Sequence, residues 1–122
     1  MNGIKYLLDT NIIIGMYEHS PTVFDLLQNK EVTIAECAFS NITRMELLGF
    51  PEITDLEAQA ITNLLAKMQC LSINLTIENT TINLKQLHRI KLPDAIILAT
   101  ALDHQLDLLT LDKKLANKIK TI

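Results

Sequence analysis

The sequence contains no tryptophan and few other aromatics: two tyrosines and three phenylalanines make up 4% of its 122 residues. Successive aromatic faces for stacking bases are therefore not its means of gripping a nucleic acid, and Tyr6 and Tyr17 read as core or interface residues. Cysteine is equally scarce. Cys37 and Cys70 match neither a CxxC pair nor any zinc-ligand spacing, so both read as reduced packing residues. Long apolar runs are missing as well. The longest, Ala95 to Leu102, is bracketed by Asp94 and Asp103 and falls far short of the ~20 residues that span a bilayer. The opening MNGIKYLLD lacks the apolar region and small-residue cleavage site of a signal peptide, so a cytoplasmic protein with no membrane segment is expected. An excess of positive charge is also absent. The formal net charge of −3 excludes coating a nucleic acid by bulk electrostatics. It does not exclude a nucleic-acid enzyme, because a cluster of metal-binding carboxylates itself depresses the net charge.

What is present is aliphatic. Apolar residues make up 48% of the chain, with Leu and Ile dominant, and residues 1–122 read as one domain. Residues 4–8 (IKYLL) form a short strand that stops at Asp9-Thr10-Asn11, which can cap a helix over Ile12 to Tyr17. Pro21 opens a second helix, PTVFDLLQ. Glu31 to Phe39 is rich enough in β-branched and aromatic residues for a second strand. Ser40 then caps a helix over Asn41 to Leu48, which Gly49 and Pro51 end. A longer helix is expected over Thr54 to Met68, with Leu56, Ala60, Leu64 and Ala66 as its apolar stripe. Further on come a strand over Cys70 to Ile73, a helix over Ile77 to His88, and a buried helix begun by Leu92-Pro93-Asp94. A fourth strand follows over Asp107 to Leu111, then a helix capped by Asp112, and an edge strand over Ile119 to Ile122. Short apolar strands alternating with helices imply a three-layer α/β/α fold around a mainly parallel sheet of four or five strands.

In open sheets of this kind, functional groups gather beyond the carboxyl ends of the strands, near the point where strand order reverses. Asp9 follows the first strand and Asp112 the fourth, so both face one crevice if those strands are neighbours. Glu46 shares a helical stripe with Ile42, Met45 and Gly49, which sets a carboxylate in line with core-facing residues. Asp94 does the same with Ile97, Leu98 and Ala101. Converging carboxylates repel one another unless protons or a cation neutralise them. Oxygen ligands without nearby His or Cys point to Mg²⁺ or Mn²⁺ rather than zinc, and such ions support in-line hydrolysis of phosphodiesters. Singly, each acid also reads as a helix cap, a first-turn acid or a solvated position. Four independent caps, however, would not require two inward-facing acids. His88 and His104 have no carboxylate at a fixed spacing, and no Ser-His-Asp arrangement is visible, so histidine and hydroxyl nucleophile chemistry is not expected.

These blocks resemble the PIN-domain family, in particular its VapC-like toxin ribonucleases, over essentially the whole chain. YLLDTNIII is similar to the family's strand followed by D-[ST]-N and identifies Asp9 as the first acid, with Asn11 as its polar neighbour. SNITRMELLG resembles the second block, with Ser40 leading the helix and Glu46 as its acid. KLPDAIILATAL assigns Asp94, and LDLLTLDKKLA assigns Thr110 as the hydroxyl and Asp112 as the fourth acid. Many members carry a further Asp a few residues downstream, where this sequence has Lys113, Lys114 and Leu115. The resemblance implies a Mg²⁺- or Mn²⁺-dependent endoribonuclease acting on RNA, often a homodimer and often held inactive by a cognate antitoxin that inserts into the active-site groove. Lys5, Arg44, His88, Arg89, Lys91, Lys113 and Lys114 flank the acidic blocks, either as phosphate contacts or as ordinary solvated charges.

Two other readings compete. Aspartate-phosphorylating α/β folds also carry acids at strand ends, but Asp9-Thr10-Asn11 lacks the second Asp of the phosphatase version and the acidic pair of the receiver version. A catalytically inactive PIN-like module that binds RNA or a partner is the other, and four retained, mutually repelling acids speak against it.

Overall fold

The computed structural model describes residues 3–122. Met1 and Asn2, which head the stretch read for a signal peptide, lie outside the described residues. In chain order the elements are β1 (Tyr6–Leu8), α1 (Thr10–Tyr17), α2 (Pro21–Asn29), a 3-10 turn (Ile34–Glu36), β2 (Cys37–Ser40), α3 (Asn41–Leu48), α4 (Asp55–Leu65), β3 (Gln69–Leu71), α5 (Leu75–Leu87), α6 (Leu92–His104), β4 (Asp107–Leu109) and α7 (Lys113–Thr121). The sheet runs β3-β2-β1-β4, and every neighbouring pair is parallel. Strand order therefore reverses between β1 and β4.

Alternation along the strands divides the core into two layers. Leu8, Cys37, Phe39 and Leu109 pack with Ile12, Ile13, Val23, Leu47, Ile61 and Leu65 of α1 to α4. The adjacent strand residues Leu7, Ala38, Leu71 and Leu108 point the other way, against Ile77, Ile97, Leu98 and Leu115 of α5 to α7. This is the three-layer arrangement expected, with four strands, all parallel. Every residue from Ala95 to Ala101 in α6 is buried, as its run of apolar residues predicts. No helix among the described residues is long and apolar enough to cross a membrane.

Four expectations are corrected. The strand over Glu31 to Phe39 is shorter, because its front half folds into the 3-10 turn, where the Thr33 amide donates to Glu36 Oε1 at 3.3 Å; local capping outweighs β propensity there. The edge strand over Ile119 to Ile122 does not form. Ile119 lies one turn after buried Leu115 in α7, and both join the core layer beneath α5 to α7. The helix expected over Thr54 to Met68 begins after Thr54, whose hydroxyl accepts from the Glu57 amide at 3.1 Å while Glu57 accepts from the Thr54 amide at 2.9 Å. It ends at Leu65, and its buried face is Ile61 and Leu65, with Leu56 82% exposed. Cys70 is exposed on edge strand β3, so only Cys37 is a packing residue, and burial pushes its thiol up to about 11.

Candidate active site

Asp9 leaves the carboxyl end of β1 at the strand-order reversal and serves as the N-cap of α1. It is buried, and both of its oxygens are engaged. The Thr10 amide donates to Oδ1 at 2.8 Å, while the Thr110 hydroxyl donates to Oδ2 at 2.7 Å and Asn11 Nδ2 to the same oxygen at 3.3 Å. Thr110 stands just past β4, which pairs directly with β1. Asn11 completes the link by accepting from the Leu111 amide at 3.0 Å through its Oδ1. These bonds fix one rotamer of a buried carboxylate and join the two strand ends across the crevice.

Glu46 reaches the crevice from α3. Its helix starts directly off β2 because Ser40, fully buried, accepts from the Ile42 amide at 3.2 Å. Ser40 thus supports the helix, as its reading as a cap predicts. The stripe drawn through Ile42, Met45, Glu46 and Gly49 is corrected: Thr43 and Leu47 are the buried positions, and Met45 is 55% exposed. Glu46 nonetheless points across to α1, accepting from the Thr10 hydroxyl at 2.7 Å through Oε1. Thr43 Oγ1 lies 3.1 Å from Thr10 Oγ1. A hydroxyl has one proton, which Thr10 gives to the carboxylate, so Thr43 donates to Thr10. Thr10 and Thr43 were not among the residues singled out from the sequence. The signal for Thr10 was its place between Asp9 and Asn11; Thr43 had none.

Asp94 sits in the first turn of α6, behind Pro93, with Ile97, Leu98 and Ala101 buried along the same stripe. Its carboxyl is held above the usual range, first by burial, then by the negative charges of Asp9, Asp112 and Glu46, with Lys91 opposing them. Asp112 caps α7, its Oδ1 accepting from the Lys114 amide at 2.9 Å and the Leu115 amide at 3.2 Å. Asp94 and Asp112 line one pocket, Asp9 stands at the end of β1 beside β4, and Glu46 borders a separate groove. Asp9, Glu46 and Asp112 are each turned toward donors of their own, and among the described residues no three His, Cys, Asp or Glu groups form a cluster compact enough to hold a metal ion.

The flanking cations separate. Lys5 pairs with Glu36 at 2.9 Å, at the entry of β1 rather than its exit. Arg44 lines a shallow apolar recess with Phe39 and Cys70. Arg89, Lys91 and Lys114 line a pocket with Asp94 and Asp112, joined by Lys118, which the sequence reading passed over although it follows Lys114 by one turn. Lys113 is exposed, and His104 ends α6, the helix that Asp94 begins. On the far side of Glu46 a second groove, of about 400 Å³, is lined by Ile14, Leu47, Phe50 and Ile61 with Glu18, Glu52 and Glu57.

Comparison with known proteins bears on this arrangement. The family model described as PIN domain matches residues 6–120. A toxin-antitoxin complex from Klebsiella pneumoniae contains a chain 32% identical to this one, with 90% of this chain and 88% of that chain covered and a TM-score of 0.78. VapBC-1 from nontypeable Haemophilus influenzae is similar at 26% identity, 97% and 93% coverage and a TM-score of 0.74. VapBC2 from Rickettsia felis, solved with a DNA fragment from its promoter, shares the fold at 18% identity, 98% and 96% coverage and a TM-score of 0.77. The comparison with curated proteins returns no match.

Proposed function

The chain belongs to the PIN-domain family, whose members are generally nucleases, and from that premise we propose that it is a metal-dependent endoribonuclease, the toxin of a type II toxin-antitoxin pair. The observation that supports the reading is the pairing of β1 with β4 at the point where strand order reverses, which brings Asp9 beside the Thr110–Asp112 segment, with Thr110 donating to Asp9 at 2.7 Å. A carboxylate set with no His or Cys suits a hard divalent cation, Mg²⁺ or Mn²⁺. Asp9, Glu46, Asp94 and Asp112 would hold it. Such an ion, when bound, supplies an activated water and charge stabilisation for attack on phosphorus.

The chain's own residues prepare that chemistry. Thr110 and Asn11 hold Asp9 in one rotamer, and the Thr43-Thr10 pair orients Glu46, so two acids are fixed before any ligand arrives. Half-buried in the first turn of α6, Asp94 is kept partly out of water, which strengthens its pull on a cation. The domain acts as one unit in the cytoplasm. Its groove beyond Glu46, with an apolar floor and a carboxylate rim, suits an amphipathic antitoxin segment carrying basic side chains. The outer face of α4, where Leu56 is exposed, is the contact for a homodimer.

The test incubates purified protein with a pool of structured RNAs in Mg²⁺, in Mn²⁺ and in chelator, beside Asp94→Asn prepared identically. Metal-dependent cutting lost in the variant supports the nuclease. A rival reading, a PIN-like module that binds RNA or a partner without cutting, draws on the separate hydrogen bonds that engage Asp9, Glu46 and Asp112. Metal-independent binding with no cutting by folded wild-type protein would favour that rival.

A further inference from the structure

Charge around the crevice is segregated. On the α6–α7 side, Arg89 and Lys91 from the α5–α6 connection and Lys114 and Lys118 from α7 line a pocket of about 380 Å³ whose inner wall is Asp94 and Asp112. Lys114 and Lys118 are one turn apart and share a helix face. None of the four cations has an ion-pair partner among the described residues, where Lys5 and Glu36 form such a pair elsewhere. On the opposite side, the groove beyond Glu46 has Glu18, Glu46, Glu52 and Glu57 in its lining and neither Lys nor Arg. A polyanion approaching the acids is attracted from one side and repelled from the other.

An acidic crevice poses a problem for an RNA enzyme, because the substrate backbone carries a charge of the same sign as the acids. Unpaired cations next to Asp94 and Asp112 offset that repulsion where a strand must come close. We propose that the pocket between the α5–α6 connection and α7 is a phosphate subsite. It holds the RNA backbone on one flank of the bond to be cut, while the glutamate-lined groove takes no RNA. The assignment deepens the nuclease reading and rests on it for the identity of the polyanion.

The test measures binding apart from cutting. Glu46→Gln, whose side chain lies outside the pocket, serves as the parent, and a labelled short oligouridylate is titrated by anisotropy across a salt series in chelator. Adding Lys114→Ala and Lys118→Ala weakens binding roughly tenfold and lowers the log–log salt slope by about 1.4, from two single-strand contacts at about 0.7 each. Replacing the same two lysines by Arg restores both quantities, which a folding defect would not. Adding Glu18→Gln and Glu52→Gln instead leaves the slope as in the parent and tightens binding by no more than about twofold to threefold, through the general repulsion removed. The subsite is overturned if the parent does not bind, if the alanine pair binds with unchanged slope, as expected were the pocket to serve an acidic protein, or if the glutamine pair tightens binding as strongly as the alanine pair weakens it, placing RNA in the groove. Lysine-dependent binding by a protein whose wild type cuts no RNA would retain the subsite and sink the nuclease. Cutting with lysine-independent binding would do the reverse.

Discussion

At the scale of single residues, Asp94 is an acid whose charged form the fold disfavours. Burial and three like charges raise its proton affinity in the folded chain, so the folded state holds that proton to higher pH than the unfolded state does. Its contribution to stability is complete below the unfolded carboxyl value and is lost as pH rises through the raised folded value. In chelator, therefore, wild-type protein loses thermal stability across that window, and Asp94→Asn flattens the profile and melts at or above the wild-type temperature near neutrality. Calorimetric melts at a series of pH values check this; a variant less stable than wild type throughout would count against a repelled carboxylate. Thr110 acts through Asp9, to which it donates at 2.7 Å. Thr110→Val is expected to lower kcat by roughly tenfold or more, within the 10–100-fold typical of supports around metal ligands, with RNA binding in chelator unchanged. Asp9 and Asp112 were legible as acids at strand ends and Asp94 as an acid at the head of an apolar helix, whereas the apolar stripe assigned to Glu46 is not its buried face. Thr10, Thr43 and Lys118 were not legible, since a hydroxyl or ammonium on a helix is ordinary until its neighbour from another element is known.

At the scale of elements, α6 is the internal wall behind the site. Leu98 is fully buried between the sheet and α5, so Leu98→Ala should cost about 2–5 kcal/mol in urea unfolding. A loss under about 1 kcal/mol would mean that the helix is not packed as described. The α1–α2 corner depends on a close approach: a Cβ on Gly15 would overlap the side chain of Val23. Gly15→Ala is expected to cost roughly 1–3 kcal/mol, largely recovered in Gly15→Ala/Val23→Ala, and a double-mutant cycle without coupling would contradict the contact. Caps made α1, α3 and α7 readable in advance, because Asp9, Ser40 and Asp112 each engage a helix amide as their side chains predict. Periodicity misled in α4 and at Ile119, where several helical faces or a short apolar tail fit the spacing equally well. Burial by the neighbouring layer decides between them, and spacing along one chain does not contain that information.

At the scale of the whole molecule, the parallel order β3-β2-β1-β4 puts the ends of β1 and β4 side by side and so joins the first and last motifs, which lie a hundred residues apart in sequence. The alternation of strands and helices foretold the class of fold, and the sequence blocks foretold the family. Strand order, and with it the division into a basic flank and a glutamate-lined flank, required the tertiary structure. If the α4 face carrying exposed Leu56 is the dimer contact proposed above, light scattering is expected to give a mass of two chains, reduced to one by Leu56→Glu; a wild-type mass of one chain would remove the dimer from the account. The central claim is that the crevice is arranged for a divalent cation, and titration calorimetry of Mn²⁺ into wild type and Asp94→Asn tests it most directly. The account predicts saturable binding to wild type, accompanied by a raised melting temperature, with both effects lost in the variant. Equal binding to both proteins, or none to a folded wild type, would contradict it.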